Sequence, residues 1–301
     1  MTTRVLSLAA ALMVLAVPLA LADDDAPPPE RSAAMFDEGK LLATGGVSAV
    51  EGEGGGGLAA WALIGGYGTR DGMGVNAHYT YVGLPDYQLT SPGIAIGLFD
   101  RLELSYAWQA FDTEATGAAL KLGQGFTFHQ NIYGAKLKLL GDAVYDQDSW
   151  LPQIAVGLQH KENDRGAVIA AVGGKASVGT DYYLAATKLF LAESLLVDAT
   201  LRETKANQFG ILGFGGDKHN AYAPQFEGSA AYLVSRKFAI GADVRTKPSN
   251  LSVATEDDAY DIFAAYFLNK NLSATLAYAG LGNIVLHKSQ GGVYFSLQAG
   301  F

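Results

Sequence analysis

Residue types capable of chemistry recur in this chain at spacings of two and four. Asp243 and Arg245 stand two apart, as do Lys136 and Lys138; Asp198 and Arg202 stand four apart, and Glu103 sits in the alternating run from Leu102 to Gln109. Side chains of an extended strand switch faces at every residue, so each of these sets falls on a single face. Both signs of charge on one face of neighbouring strands suit a narrow polar lining that selects solutes by charge. A lining of mutually satisfied polar side chains is the plainer reading of the same pattern. The same alternation adds Asn76, His78, Gln109, Gln153, Gln159, Glu227, Asp261 and Gln298 to that face. The expected ion pairs are Asp243 with Arg245 and Asp198 with Arg202.

No catalytic constellation accompanies these charges. The five histidines, His78, His129, His160, His219 and His287, are scattered, and neither HExxH nor GxSxG occurs. A Ser-His arrangement assembled in space remains the one route to catalysis, and the expectation is no enzyme and no cofactor. Asp142, Asp146 and Asp148 offer oxygens within 141–152, but the spaced ligand series and closing Glu of a calcium loop are missing, so no metal is expected. The stretch from Asn207 to Asp217 is apolar and Gly-rich, carrying Phe209, Ile211, Leu212 and Phe214. An apolar patch of that kind should not stand open in water. It is expected to fold into the lumen as a gate, or to meet a hydrophobic ligand or lipid. Its glycines lack the strand-to-helix setting and the Lys-Ser/Thr of a phosphate loop.

The elements that must position these residues are strands. The last nine residues put Val293, Phe295, Leu297, Ala299 and Phe301 on one face and Tyr294, Ser296 and Gln298 on the other. An apolar strand ending on Phe resembles the closing strand of bacterial outer-membrane barrels, with Phe295, Leu297 and Phe301 as the signal read by the insertion machinery. Segments of about 10 to 12 residues, the length of a tilted membrane strand, follow one another upstream. They are expected at 41–51, 57–68, 72–82, 87–98, 101–111, 126–140, 151–161, 179–190, 194–204, 223–234, 237–248, 258–267, 272–281 and 291–301. This predicts an all-β, up-and-down antiparallel barrel of about 14 strands, with 12 as the fallback should the first segment or the final hairpin be misread. In 179–190 the cost of a charge in hydrocarbon, about 2 to 4 kcal/mol, sends Lys188 to the lumen and Tyr183, Ala185 and Leu189 to lipid. Tyr67, Tyr79, Tyr81, Trp108, Trp150, Tyr232, Tyr266 and Phe301 sit near strand ends, where amphipathic rings favour the headgroup level. Predicted connections alternate between tight and long, with 141–150 the one long member of the tight set.

Composition agrees with this architecture. The chain of 301 residues is 49% hydrophobic and 17% charged, with no Cys, yet beyond Ala22 no apolar run reaches the length of a membrane helix. Residues 1–22 read as a secretory signal peptide, with Arg4, an apolar core and the small-x-small site Ala20-Leu21-Ala22; 23–40, with Pro27-Pro28-Pro29, reads as a periplasmic linker, and 41–301 as the barrel. The acidic balance, 21 basic against 30 acidic side chains, argues against a nucleic-acid partner. The expected partners are the lipid bilayer and lipopolysaccharide, the insertion machinery and an unidentified small solute. The functional expectation is a passive channel or transporter for small solutes; the alternatives are a closed structural or surface-interaction barrel and a transporter of hydrophobic compounds gated by the 207–216 loop.

The runs Gly39 to Ser48, Trp61 to Arg70, Gly141 to Asp148, Ala206 to Gly210 and Ser296 to Ala299 resemble an uncharacterised bacterial family that carries a domain-of-unknown-function label. The resemblance spans nearly all of the chain beyond the signal peptide. It implies a Gram-negative outer-membrane barrel and brings no substrate and no catalytic residues.

Overall fold

The computed structural model describes residues 39–45 and 47–301. The signal peptide expected at 1–22 and nearly all of the linker expected at 23–40 lie outside the described residues. Twelve antiparallel strands form a closed barrel. They are β1 (Met73–Gly83), β2 (Gln88–Leu98), β3 (Leu102–Asp112), β4 (Thr127–Leu140), β5 (Gln153–Asn163), β6 (Val178–Phe190), β7 (Leu195–Thr204), β8 (Ala223–Ser235), β9 (Phe238–Arg245), β10 (Ala259–Phe267), β11 (Leu272–Ile284) and β12 (His287–Gly300). Each strand pairs with its sequence neighbours, and β1 closes on β12 from Asn76↔Gly300 to Gly83↔Val293. Closure leaves no unpaired edge, which is the condition for a sheet in lipid.

Alternation decides which face each side chain takes. Leu104, Tyr106 and Trp108 on β3, Tyr182 and Leu184 on β6, and Val293, Phe295 and Leu297 on β12 are exposed on the outside, while their neighbours in sequence are buried. That outer belt of apolar and aromatic side chains fits a bilayer, and its inner counterpart is polar. The long connections 113–126, 164–177, 205–222 and 246–258 gather at one end, with the short helices α1 (Glu114–Ala119) and α2 (Gly166–Ala171) inside the first two. The tight ones, 99–101, 191–194, 236–237 and 268–271, gather at the other. By the usual asymmetry of such barrels the first end is the outer one and the second the periplasmic one.

Two expectations are corrected. The segments 41–51 and 57–68 are not strands of the wall, which starts at Met73, so the strand number is the fallback and not fourteen. Both segments run inside the barrel, and Tyr67, expected in an aromatic girdle, is fully buried there. The second correction concerns β6. Tyr183 and Ala185 face the lumen and Lys188 faces outward, paired with Val197 on the lipid side of β7. The charge is not stranded, because the long connection 141–152 reaches it: Lys188 Nζ donates to the carbonyls of Asp142 (3.2 Å), Asp146 (2.5 Å) and Leu151 (3.4 Å). Leu189 is buried beside Ala143, whose carbonyl accepts the Leu189 N–H at 2.8 Å. The one long periplasmic connection thus solvates a lysine at the rim.

Replacing Lys188 by Met should lower stability by about 1 to 3 kcal/mol, the cost of stranding buried acceptors, even though Met is the better lipid-facing residue. Urea unfolding of the refolded protein in detergent reads this directly; an unchanged midpoint would show that the carbonyls find water instead.

Candidate functional site

The lumen is filled by the chain's own residues 40–45 and 47–68. A barrel of this strand number has a narrow interior, and the segment fits because it is built from small residues, among them the Gly54–Gly57 run, Ala59, Ala60, Ala62, Gly65 and Gly66. It enters at the periplasmic end, where Lys40 Nζ bonds the Ile64 carbonyl (2.7 Å) and pairs with Asp100 (2.8 Å). It rises to Val50 and Glu51, turns through the glycines, and returns to Tyr67, whose N–H bonds the Phe301 carbonyl at 2.9 Å. Among the described residues its regular pairing is a single bridge, Gly55↔Ala60, with scattered backbone bonds such as Val50 N–H to the Gly57 carbonyl and Gly66 N–H to the Gly45 carbonyl satisfying part of the chain. Backbone that lacks a ladder must find partners elsewhere when water is excluded.

Wall side chains supply those partners one by one. Glu103 accepts the Gly54 N–H (3.1 Å) and the Gly65 N–H (2.6 Å) on its two oxygens. Lys136, ion-paired to Glu103 at 3.0 Å, donates to the carbonyls of Gly54 and Leu63. Asp243 accepts the Leu58 N–H and Glu227 the Ala60 N–H, each at 3.0 Å. Thr187 accepts the Ala62 N–H, Gln153 donates to the Ala62 carbonyl and Thr200 to the Ala60 carbonyl. Nearer the outer end, Ser91 and Gln109 both donate to the Val50 carbonyl. Trp61 Nε1 donates to Ser229 at 2.8 Å.

Above these contacts lies a charge network. Lys161 bridges Glu51 (2.5 Å) and Asp181 (2.8 Å), Arg245 bridges Glu51 (2.8 Å) and Glu227 (3.2 Å), and Arg202 binds Glu227 and, through Gln159, reaches Glu53. Glu51 and Glu53 belong to the plug, so the plug supplies counter-charges for the wall. Across the lumen, Glu51, Glu53, Glu103, Asp181, Asp198, Glu227, Asp243 and Asp261 are buried against the four cations Lys136, Lys161, Arg202 and Arg245.

The wall residues singled out from the alternation therefore point inward, but their partners differ from the expected ones. Arg245 and Arg202 do not pair with Asp243 and Asp198; Asp198 accepts from Thr187 and Thr200. Lys138 lies at the periplasmic mouth with Asp100 (2.6 Å) and not at a constriction. Sequence reasoning missed Glu51, Glu53, Lys161 and Asp181. Lys161 continues the parity of Gln153 and Gln159, a usable signal, whereas Asp181 was hidden by the wrong face for Lys188.

The 207–216 loop caps the outer end. Its Phe209 carbonyl accepts from Lys161 (3.2 Å) and Gln130 (3.3 Å), and its ring lies under the Arg245 guanidinium at 4.5 Å and the Lys247 ammonium at 5.5 Å. Gln208 and Phe209 both hold positive φ, 46° and 57°, a conformation that costs non-glycine residues about 1 to 3 kcal/mol each. Gln208 is held by Glu256, which pairs with Lys247 at 3.1 Å; burial pulls the Lys247 ammonium below its ordinary range and pushes the Glu256 carboxyl up. Ile211 and Leu212 face inward with Phe209 over an apolar cavity of about 40 Å³, whose floor is Val50 and Leu58 of the plug. Phe214 is elsewhere: fully buried, it bridges to Ala176 and Ala206 and packs on the bare backbone of Gly179. Three of the four gate candidates thus border the lumen and the fourth anchors the loop.

Two sets of hydroxyl, imidazole and carboxylate line up among the described residues: on β5 and β6 the partly exposed His160 lies 2.9 Å from Thr180 Oγ1 through Nδ1 and 3.5 Å from Glu162 through Nε2, and a second set stands at the outer rim. Thr116 Oγ1 lies 2.9 Å from His287 Nε2, and His287 Nδ1 lies 3.1 Å from Asp86. Thr116 is 3% exposed, so its hydroxyl is closed to substrate, and the set works as a clamp joining α1, β12 and the β1–β2 turn.

Residues 44–298 match the profile of a family described as a protein of unknown function, DUF3034. No curated protein matches the chain. Among solved structures, a KdgM porin in complex with disordered oligogalacturonate is 12% identical, covering 75% of this chain and 99% of its own, with a TM-score of 0.48. The NanC porin is 10% identical over 75% of this chain and 98% of its own, with a TM-score of 0.47. An outer membrane channel from Pseudomonas putida F1 is 11% identical over 76% and 94%, with a TM-score of 0.45. At these identities the likeness concerns the barrel fold alone.

Arg202→Met should destabilise the barrel by about 3 to 5 kcal/mol, because Glu227 loses a bonded partner in a site closed to water. Arg202→Met combined with Glu227→Gln should recover much of that loss. Denaturant unfolding of the two variants beside the wild type checks the coupling, and equal losses in both would deny it.

Proposed function

The chain belongs to this family of proteins of unknown function, and we propose that it is an outer-membrane channel for small solutes whose resting state is shut by its own residues 40–68. The supporting observation is that, apart from the Tyr67 N–H on the Phe301 carbonyl, the plug is bound to the wall through side chains and not through the sheet. Every wall strand keeps both ladders without it, so the plug can leave while the wall stays intact. The side chains it uncovers, Glu103, Lys136, Asp198, Arg202, Asp243 and Arg245 among them, would then line a polar pore carrying both signs of charge. The surplus of lumen carboxylates over cations favours cation selectivity in that state. Export by the segment at 1–22, recognition of Phe295, Leu297 and Phe301 by the insertion machinery, and lipopolysaccharide around the outer rim belong to the same reading.

A second reading is favoured by the apolar cavity beneath Phe209, Ile211 and Leu212. In it the outer loop admits a hydrophobic compound, and the plug tip forms the floor of the entry chamber.

The absence of cysteine makes the gate testable. A Cβ on Gly65, in the returning arm of the plug, would lie 3.6 Å from the Ala95 Cβ on β2, within the range of a disulfide. Gly65→Cys with Ala95→Cys should give bilayer current steps when reduced and at least about tenfold fewer openings when oxidised, an occupancy change of roughly 1.4 kcal/mol. Equal activity in both states would show that the plug is not the gate. A folded barrel silent in both, like the wild type, would favour the closed structural barrel. Reversal potentials in a salt gradient read the selectivity, and deletion of 209–214 should change uptake of an apolar solute only under the second reading.

A further inference from the structure

The surplus of negative charge in the lumen is concentrated at one point. Asp243 on β9 and Asp261 on β10 are direct register partners, so their side chains stand side by side on the inner wall. Both are buried, at 0% and 1% exposure. Asp243 Oδ2 accepts the Leu58 N–H, but Asp243 Oδ1, both oxygens of Asp261 and the Tyr294 hydroxyl are buried with no hydrogen-bond partner. Among the described residues no cation stands against either carboxylate. Arg245, two residues along β9, is engaged by Glu51 and Glu227, and the other charged neighbours, Asp198 on β7 and Glu227 on β8, are themselves acidic.

The tip of the plug closes over this pair. A Cβ on Gly56 would lie 2.4 Å from Asp243 Oδ2, and one on Gly57 would lie 2.6 Å from Asp261 Oδ2 and 3.6 Å from Tyr294 Cζ. Only glycine lets the backbone approach two carboxylates and a phenol this closely. A cavity of about 30 Å³, bordered by Ser48, Gly56, Gly57, Thr275, Tyr294 and Gln298, adjoins the same point. Its walls are mostly apolar, with Val47, Trp61, Phe263 and Ala265 among them, but Ser48, Thr275, Tyr294 and Gln298 also border it, and it has room for water, since one water needs about 10 to 15 Å³. Two carboxylates in contact and cut off from solvent cannot both keep an unbalanced charge, and they hold either a cation or a proton between them.

We propose that Asp243 and Asp261, with the Tyr294 hydroxyl and water in the adjoining cavity, form a site for a divalent cation of the calcium class, filled when the plug is seated. Carboxylate, hydroxyl and water oxygens are the donors such ions take, and irregular coordination suits calcium better than magnesium. The ion ties β9 and β10 together under the plug tip. Sequence alone hides the site, because its ligands come from three strands and no loop motif marks them. The inference stands on the seated plug and not on whether the plug gates a current.

Terbium, a calcium stand-in that emits when a nearby tyrosine is excited, tests it on the refolded full-length protein in detergent, stripped with chelator and held at constant neutral pH. Wild type should bind one terbium per chain, release it to calcium, and unfold at a higher temperature with calcium present. Asp261→Asn and Asp243→Asn keep the shape and remove one charge. Each should weaken terbium binding by about tenfold or more, since ligand charge sets affinity in such sites, and should abolish the calcium shift of the thermal midpoint. Equal terbium binding in wild type and Asp261→Asn would overturn the site. So would a wild-type midpoint indifferent to calcium but moving with pH in a way Asp261→Asn does not, which would assign a proton shared by the pair. Retained heat-modifiable mobility on a gel establishes that each variant has folded. None of these readings involves current, so failure here leaves the channel proposal standing, and failure of the channel proposal leaves the site standing.

Discussion

Backbone without secondary structure cannot sit at membrane depth unless its N–H and C=O groups find partners, and the inside of this barrel is arranged around that requirement. The plug has almost no ladder of its own, so the wall presents Glu103, Thr187, Glu227 and Asp243 to its N–H groups, and Lys136, Gln153, Thr200 and Gln109 to its carbonyls. A charged residue in a lumen invites a reading in terms of solute. Here Glu103, Lys136, Glu227 and Asp243 first serve a peptide group, and only displacement of the plug would free them for anything else. The ion pairs are a consequence of the same arrangement, because carboxylates brought in to accept peptide N–H groups need Lys161, Arg202 and Arg245 near them.

The wall and the plug are held by different kinds of bond, and this separates them energetically. Strand pairing is backbone to backbone, continuous around the barrel and independent of what fills it. The plug is held by side chains that water can replace and, at its foot, by the one backbone bond from Tyr67 to Phe301. Its cost of release is the loss of well-formed bonds in a dry site, offset by hydration of eight carboxylates and four cations. Two cooperative units with separate bonding can exchange without the larger one unfolding. The outer loop adds a third element, held in a strained turn at Gln208 and Phe209 by cation contacts to its ring.

The wall was legible in the sequence for a plain physical reason: lipid on one side and polar groups on the other force a two-residue period, and twelve of the expected segments fall on observed strands. The inward faces followed from the same period. The plug was not legible, because a segment packed on all sides by side chains has no face to alternate. Its run from Leu58 to Ile64 reads as a strand when it is in fact wrapped by the lumen. Ion-pair partners were misread for a related reason. Neighbours at a spacing of two or four seemed natural mates, whereas the true partner of Arg245 and Lys161 is Glu51, separated by 194 and 110 residues. Lys188 failed because a rule for lipid depth was applied without knowing that the 141–152 connection folds back over the rim. The sequence did carry one clue to the plug: the glycine run at 54–57 interrupts any register, and a wall strand would not tolerate it.

Where the barrel seam closes, the Phe301 carbonyl accepts two N–H groups, that of Val75 on β1 at 2.8 Å and that of Tyr67 at the foot of the plug at 2.9 Å. The same oxygen thus fastens the last strand to the first and the plug to both. The two attachments are thereby linked. Until β12 has docked, the foot of the plug lacks its anchor and the tip lacks Tyr294 and Gln298, so an unfinished barrel is also an unsealed one. One atom at the seam is therefore shared by the closure of the circle and the footing of the stopper.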